Sequence, residues 1–356
     1  MPLSTSNFKM SSSKRSGREA AATAAARLPR QDWARIWLLV VLLVLVIAFA
    51  WEGFWRARGF VPNLSDDLGI WAMVRRRVSQ QGDGVVLVGA SRIQLGINPQ
   101  AFAEVSGQRP LMLAIDGSSP LPVLEELAAD QRFCGLVLVS LTPMHLAQPL
   151  GRDRAVKWVR RYPRQQWSQR LETRLSMAVQ GRLVLRSTSL APEQLWQHWR
   201  EGSRPTMFYA PMQPDRSRAA DFSRVDLERM RRSRAEREAE LHGRVASLSG
   251  LAFEERIAHL RSLAETIRER GGRVVFVRFP SDGAVLALEQ RDWPRARYWD
   301  PFAARVGTLA IHFQDDPRLS HFTTPDGSHL RGEDAVRFSR ILAGILEEEH
   351  ILRDRE

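Results

Sequence analysis

The chain contains a single cysteine, Cys134, among its 356 residues. One cysteine excludes an intrachain disulfide framework and any zinc site built on a cysteine cluster, so packing must supply the stability. The sequence also lacks an internal repeat and the signatures of zinc-finger and RRM nucleic-acid-binding modules. Hydrophobic residues make up 44% of the chain, which is enough for a globular core and too much for a disordered protein.

The net charge of +12 is unevenly distributed along the chain. Residues 1–35 hold seven basic and two acidic side chains, whereas residues 56–356 hold 45 basic and 37 acidic ones. The densest later stretch, 224–240, has six arginines and five acids at helical spacing, which predicts a solvated, ion-paired helix face. No basic stripe there carries interleaved aromatic residues, so we expect no nucleic-acid partner.

One apolar segment is long enough to approach the thickness of a membrane. Residues 36–51 carry no charge, and the apolar character continues to Trp55 after Glu52. A helix over 36–55 spans about 30 Å, the thickness of the hydrocarbon core of a bilayer. Tryptophans stand at both ends and most of the basic residues precede the segment, which predicts a single-pass transmembrane signal anchor over 36–55. By the same rule we expect residues 1–35 to be a basic cytoplasmic tail and residues 56–356 to be extracytoplasmic. The composition of the tail, rich in Ser, Ala and Arg without apolar periodicity, predicts that it is disordered.

Two alternatives to an anchor follow from the same apolar run. The first is a buried core helix, although an apolar helix with tryptophans at both ends is unusual inside a domain. The second is a cleaved signal peptide, because Ala48-Phe49-Ala50 fits a small-residue cleavage site. Trp51 directly after that site and the 35-residue leader favour an uncleaved anchor. The export direction is the same in either case.

Short apolar runs alternate with helical patterns after the anchor. The runs that predict strands are Val85–Val88, Leu111–Ile115, Leu136–Ser140, Val274–Phe279 and Leu309–Phe313. Helical patterns occupy 65–80, with Ser65 as the cap, and 99–105, 119–130, 253–270, 298–306 and 332–349. This alternation predicts an α/β fold with about five parallel strands covered by helices on both faces.

One long stretch interrupts the alternation. Residues 144–250 contain no strong strand pattern but several tryptophans and prolines. The stretch leaves the third predicted strand at its carboxyl end, which is the edge where open α/β sheets bind ligands. We therefore predict a mostly helical insertion over 144–250 that covers the site.

Three polar residues are arranged in a way that is typical of nucleophilic catalysis. Ser91 ends the turn Gly89-Ala90-Ser91 after the first strand, where its hydroxyl stands clear of the backbone. Asp326 precedes His329 by three residues, a spacing at which a carboxylate can hold an imidazole as a general base. We predict that the three form a triad. Each also has a simpler interpretation, because a serine after a strand is more often a turn residue and Asp-Gly alone indicates a turn.

At these residues the sequence resembles the SGNH/GDSL hydrolase superfamily, in particular its membrane-anchored members related to the alginate O-acetylation proteins and to the D-alanyl transfer protein of teichoic acids. Residues 89–92 stand where that family has its Gly-Asp-Ser block, Gly117 where it has its oxyanion glycine, and Asp326 with His329 where it has its Asp-x-x-His block. The resemblance covers residues 85–346 apart from the insertion, and it implies a three-layer α/β/α flavodoxin-like SGNH fold.

The resemblance also implies roles for these residues. Ser91 would attack an ester carbonyl, His329 would take and return the proton, and Asp326 would orient His329. The backbone N–H groups of Ser91 and Gly117 would stabilise the oxyanion. No cofactor and no metal ion is expected.

The sequence departs from the family in one block. The family's Gly-x-Asn-Asp block is expected after the third strand, where the chain reads Ser140-Leu141-Thr142-Pro143 without an asparagine. A missing oxyanion donor costs about 10²–10³ in rate unless another group replaces it. Thr142 and Arg92 are the candidates for that replacement.

Three side chains near predicted strand ends are candidate substrate-binding residues: Arg92, Arg278 and Ser281. The guanidinium of Arg278 could bind an anion or the hydroxyls of a sugar. A structural ion pair is the alternative for this residue.

These expectations combine into a membrane-anchored esterase or O-acyltransferase that acts on a cell-envelope or secreted polysaccharide through an acyl group on Ser91. The polysaccharide is the expected acceptor, and a multi-spanning membrane acyltransferase is the partner that the resemblance implies. The expected location is the bacterial cytoplasmic membrane, with residues 56–356 in the periplasm. Two alternatives stay open: a non-catalytic component that binds glycan or the partner, and a lipid or peptidoglycan esterase of the same fold.

Overall fold

The computed structural model describes residues 31–148, 154–244 and 248–352. The tail predicted over 1–35 lies outside the described residues except for its last five positions, of which 33–35 are helical. Helix α1 (Trp33–Ala57) contains the apolar run and is 25 residues long, which is enough to cross a membrane. None of its most apolar window is buried, so the structure does not make it a core helix. A signal sequence near the amino terminus satisfies the same criteria.

Five parallel strands form the sheet, in the spatial order β2-β1-β3-β4-β5. Their bounds are β1 (Val85–Val88), β2 (Leu111–Met112), β3 (Leu136–Ser140), β4 (Arg273–Arg278) and β5 (Ala310–His312). Val88 lies opposite Val139, and Val139 lies opposite Phe276, so the central strands end at one edge. The α/β fold with five parallel strands is thus confirmed.

The remaining described helices connect these strands or belong to the insertion. They are α2 (Leu68–Gln81), α3 (Ser91–Gly96), α4 (Pro99–Ser106), α5 (Leu121–Ala129), α6 (Pro143–Ala147), α7 (Arg154–Arg161), α8 (Trp167–Gln180), α9 (Pro192–Arg200), α10 (Leu227–Arg244), α11 (Gly250–Glu269), α12 (Gly283–Asp292), α13 (Arg295–Arg305), α14 (Pro317–Ser320) and α15 (Gly332–Glu348).

Helices cover both faces of the sheet, and the strands alternate their side chains between them. Val86 and Val137 belong to one apolar cluster, which also contains residues of α2, α5, α11 and α13. Leu87 and Leu138 belong to a second cluster with residues of α4 and α15. Successive strand residues point to opposite faces, so a strand buried on both sides is apolar at every position. The uninterrupted apolar runs of β1 and β3 have this cause.

The structure corrects several predicted boundaries. Strand β2 is only two residues long. The chain after Met112 still runs alongside β1, since the backbone N–H groups of Leu113 and Ile115 donate to this strand and to the residue directly after it, but it does not form a longer strand. Helix α2 begins after Asp67, whose side chain accepts the N–H of Ile70, and not after Ser65. The sequence patterns did not predict α3 and α12, which follow β1 and β4 directly.

The insertion is helical wherever the structure describes it in regular elements, with α7 to α10 and four 3₁₀ turns. Its strand-like pairing within the described residues is the isolated antiparallel bridge between Met212 and Arg218. Residues 149–153 and 245–247 of the insertion lie outside the described residues. Helix α10 of the insertion lies over the carboxyl edge of the sheet.

Candidate active site

A cleft of about 400 Å³ lies at the carboxyl edge of the sheet. The turns after β1, β2 and β3 form its floor, and side chains of α10 and α12 complete its walls. In doubly wound sheets this edge is the ordinary position of a ligand site. The predicted residues that line it are Ser91, Arg92, Gly117 and Thr142.

Ser91 is half-buried and is the first residue of α3. It comes two residues after Gly89, which directly follows β1 and begins the turn. A side chain at that glycine, Gly89, would place its Cβ 2.7 Å from Ile93 and 2.8 Å from Ser140. Only glycine therefore allows the turn to pass between α3 and β3. The first N–H of a helix has no partner within the helix, so the backbone N–H of Ser91 can donate to a ligand.

Asp326 and His329 form a buried hydrogen-bonded pair. Asp326 Oδ1 accepts the backbone N–H groups of Ser328 at 3.0 Å and His329 at 2.8 Å, which closes a tight loop. Its other oxygen, Oδ2, lies 2.8 Å from His329 Nδ1. His329 Nε2 is buried and has no hydrogen-bond partner in the described part of the chain.

The protonation states of this pair follow from its surroundings. Burial alone would raise the pKa of Asp326, but the hydrogen bond and charge of His329 and the charge of Arg234 outweigh it and hold the pKa well below its usual value. Burial lowers the pKa of His329, and Asp326 only partly opposes this. An ionised carboxylate accepts but cannot donate, so Nδ1 carries the proton and Nε2 of the neutral ring keeps its lone pair.

The structure brings the Ser91 turn and the Asp326–His329 loop to one cleft through their neighbours. Arg92 Nε donates a 3.1 Å hydrogen bond to the hydroxyl of Ser328, and both residues line the cleft. No hydrogen bond joins Ser91 to His329, since Nε2 of the histidine has no partner.

Beneath the cleft, two arginines share one buried carboxylate. Glu289 of α12 lies 2.7 Å from Arg92 and 2.5 Å from Arg278, and all three side chains are less than one-tenth exposed. Ser281 donates to Glu289 at 2.9 Å and accepts from Arg278 at 2.7 Å. Burial acts to raise the pKa of Glu289, but the charges of Arg278 and Arg92 outweigh it and lower the pKa.

This network changes the interpretation of two predicted substrate-binding residues. Arg278 and Ser281 are buried and face Glu289, and neither is among the described residues that line the cleft. Arg278 therefore has the structural ion pair that was its alternative role. Arg92 lines the cleft, and its Nη1 is buried without a partner.

Gly117 and Thr142, which were predicted for the oxyanion hole together with Ser91, follow β2 and β3, the two strands that flank β1 in the sheet. Gly117 has a φ of +65°, a left-handed conformation that favours glycine, and it follows β2 in a turn that lines the cleft. Thr142 is the N-cap residue directly before α6, and its hydroxyl is buried without a hydrogen-bond partner in the described part of the chain. Its backbone N–H is not free, because it donates to His145 Nδ1 at 3.2 Å.

His145 is a functional candidate that sequence reasoning missed. Its ring is buried and lines the cleft, and burial together with the charges of Arg92 and Arg256 lowers its pKa to about 3. The ring is therefore neutral near pH 7. Because Nδ1 accepts the N–H of Thr142, the ring proton must be on Nε2, which becomes a fixed hydrogen-bond donor. The only signal in the sequence is a histidine three residues after Thr142, within the block that lacks the asparagine.

Helix α10 covers the site and corrects the prediction of a solvated helix face at 224–240. Arg234 lies 3.1 Å from Asp326 Oδ2, and Arg231 donates at 2.6 Å to the carbonyl oxygen of Pro325. Arg237, Glu238 and Leu241 of the same helix line the cleft. The arginines at helical spacing thus bind the loop of Asp326 on one face of α10, while Glu228 and Arg231 also pair along the helix as predicted.

Within residues 31–148, 154–244 and 248–352, no group of three or more His, Cys, Asp or Glu side chains is placed to hold a metal ion. Neither a protein-family model nor a curated protein sequence matches the chain.

Proposed function

We propose that this chain is a membrane-anchored serine esterase or O-acyltransferase of SGNH type that acts on a cell-envelope or secreted polysaccharide. The buried Asp326–His329 pair carries this proposal, because it holds a neutral imidazole through Nδ1 and leaves Nε2 without a partner. Most buried polar atoms in proteins are paired, and this unpaired nitrogen belongs to the residue after Ser328, which lines the cleft. The cleft presents Ser91, a hydroxyl of the type that such a base activates.

The sheet topology supports the same proposal. The order β2-β1-β3-β4-β5 is that of flavodoxin-like doubly wound sheets, which the resemblance to the SGNH superfamily implies. The candidate nucleophile follows β1, the candidate oxyanion glycine follows β2, and the Asp326–His329 loop lies between β5 and α15. This order of the motifs along the sheet supports the roles proposed for them.

The proposed reaction has two steps. His329 Nε2 takes the proton of Ser91 as the serine oxygen attacks an ester carbonyl. The tetrahedral intermediate then collapses as His329 gives that proton to the oxygen of the leaving alcohol. In the second step His329 Nε2 takes the proton of a second hydroxyl as that oxygen attacks the acyl-serine, and the Ser91 oxygen takes this proton from His329 as it leaves. With a sugar hydroxyl the product is an acylated polysaccharide, and with water it is a free acid.

Three donors of the cleft can stabilise the oxyanion of both tetrahedral intermediates. Two are the backbone N–H groups of Ser91 and Gly117. The third is Nε2–H of His145, which takes the place of the missing asparagine. The tautomer fixed by Thr142 makes this ring a donor in every step, because its pKa of about 3 keeps it neutral.

The anchor belongs to this proposal as well. Helix α1 is long and apolar enough to cross a bilayer, and the basic residues before it favour a cytoplasmic amino terminus. We place the chain in the bacterial cytoplasmic membrane with residues 56–356 in the periplasm. Tethering raises the effective concentration of the domain beside a multi-spanning membrane acyltransferase that would supply the acyl group.

A fluorophosphonate probe and p-nitrophenyl acetate test the serine chemistry with the full chain in detergent. The probe should label the wild type and not Ser91→Ala, and Ser91→Ala should hydrolyse the ester no faster than buffer. Ser262→Ala is the matched control, because Ser262 is an exposed serine of α11. It should behave like the wild type.

The competing function is a non-catalytic component that binds glycan or a partner in the same cleft. The absence of a hydrogen bond between Ser91 and His329 favours it. Ester hydrolysis that is equal in the wild type and Ser91→Ala, with no probe labelling of folded protein, would remove Ser91 from the mechanism and support this alternative.

A further inference from the structure

Helix α8 of the insertion exposes a row of large apolar side chains. Trp167, Leu171, Leu175 and Val179 recur every four residues, and all are exposed, Trp167 by 75% and Leu175 by 60%. We call these four residues the α8 stripe. Residues four apart lie on one face of a helix, so the stripe is continuous. It borders a shallow groove of about 610 Å³ that also includes Arg186.

The other face of α8 is fixed to the chain segment that follows the anchor. Gln180 Oε1 accepts the backbone N–H of Ser65 at 2.9 Å, and Met177 packs against the cluster of Leu64 and Ile70. The packed side of the helix is therefore distinct from the stripe. A helix that is packed on one face and exposes large apolar side chains on the other is typical of a surface that contacts another apolar partner.

The carboxyl end of α8 lies beside the last turn of α1. The side chain of Arg56 donates to the carbonyl oxygen of Arg182, two residues after α8 ends. Arg56 directly follows Trp55, the last residue of the apolar segment predicted to cross the bilayer. If residues 36–55 span the hydrocarbon core, position 56 is at the membrane surface, and Arg182 is there with it.

The charges around the stripe match an anionic surface. Residues 164–200 contain six arginines and two glutamates, and the arginines flanking the stripe, Arg170 and Arg174, are exposed. Anionic lipid headgroups attract such arginines, and the bilayer beneath them accepts the apolar side chains.

Two more tryptophans extend this chemistry beyond α8. Trp196 and Trp199 of α9 are both exposed, with ring centroids 4.9 Å apart. Leu183 and Leu185, in the connection between the two helices, are also exposed. Tryptophan is enriched at the interface between lipid and water.

From these observations we infer that the α8 stripe docks on the surface of the anionic membrane that holds α1. The inference rests on the membrane anchoring proposed above and is independent of the serine chemistry. It assigns the insertion a second task besides covering the cleft.

Lipid-borne quenchers test the docking on the full chain in vesicles of phosphatidylethanolamine and phosphatidylglycerol. In a Cys134→Ser background, which removes the only cysteine, an environment-sensitive fluorophore is attached to Leu171→Cys. Leu251→Cys is the matched control, because Leu251 is a 74% exposed leucine at the start of α11. Leu43→Cys, within the apolar run, reports on the anchor itself.

Docking predicts that doxyl-labelled lipids quench the fluorophores at 171 and 43 but not at 251. It also predicts that quenching at 171 falls in vesicles of neutral phosphatidylcholine and in the double variant Arg170→Gln/Arg174→Gln.

Quenching at 43 without quenching at 171 would overturn the docking and leave the anchor intact. Shielding of position 171 from aqueous iodide without lipid quenching would indicate a protein partner and also overturn it. No quenching at 43 would remove the anchor and the docking together. Equal quenching at 171 in neutral and anionic vesicles would contradict the choice of an anionic surface.

Discussion

Arg92 Nε donates a hydrogen bond to the hydroxyl of Ser328 across 236 positions of the chain, at a distance of 3.1 Å. Each residue is next to a candidate catalytic group, Arg92 after Ser91 and Ser328 before His329. This contact therefore joins the turn that holds the candidate nucleophile to the loop that holds the candidate base.

Arg234→Gln is expected to move the acidic limb of the activity profile to higher pH. Arg234 lies 3.1 Å from Asp326, and its positive charge contributes to lowering the pKa of His329. Without that charge the pKa of His329 rises, so the ring is protonated, and unable to act as a base, at pH values where the wild type is active. The measurement is kcat/KM for p-nitrophenyl acetate as a function of pH.

Arg232→Gln is the control for this prediction, because Arg232 is an exposed arginine of the same helix. It should leave the acidic limb in place. An unchanged limb in Arg234→Gln, with native circular dichroism, would contradict the electrostatic role of Arg234.

His145→Leu should reduce kcat by about 10²–10³ with a smaller effect on KM, because an oxyanion donor acts on the transition state. His145→Gln should recover part of the loss, since its amide retains a donor. Steady-state kinetics on the full chain would show both effects. His321→Gln, which changes an exposed histidine, is the control and should have wild-type kcat. Equal kcat in His145→Leu and the wild type would leave His145 with a purely structural role.

Glu289→Gln should destabilise the fold by about 3–5 kcal/mol, because it leaves two buried guanidinium groups without a counter-charge. The partners are Arg92 and Arg278, at 2.7 and 2.5 Å. Urea unfolding followed by tryptophan fluorescence gives the free energy of unfolding. Glu255→Gln, at an exposed position of α11, should change it by no more than about 0.5 kcal/mol. A similar small change for Glu289→Gln would show that the two arginines do not depend on this carboxylate.

The sequence predicted the parts of the fold that depend on local pattern. Strands β1 and β3 are buried on both faces, so their apolar runs identified them at the bounds that the structure has. Helix α12 has no such pattern, because Val285 and Glu289 are its buried residues and one of them is charged. The burial of Glu289 depends on Arg92, which is 197 positions away. A local pattern cannot reveal that contact.

The candidate site also combines a feature that a local pattern predicts with features that depend on tertiary contacts. The spacing of Asp326 and His329 was enough to predict their hydrogen bond, because three residues of a tight loop determine it. The donor role of His145 depends on the tautomer that the N–H of Thr142 fixes, and Arg234 depends on where α10 packs. Both are consequences of tertiary structure, so a charged helix and an isolated histidine gave no signal of them. Catalysis by Ser91 stays a prediction.

The distance along the chain between Ser91 and His329 has a consequence for how the protein is made. Synthesis starts at the amino terminus, so a growing chain carries the serine long before the histidine and its carboxylate exist. In the proposed mechanism, the incomplete chain lacks the base that activates Ser91. The proposed reactivity therefore arises only after β5 and the loop that follows it have been translated.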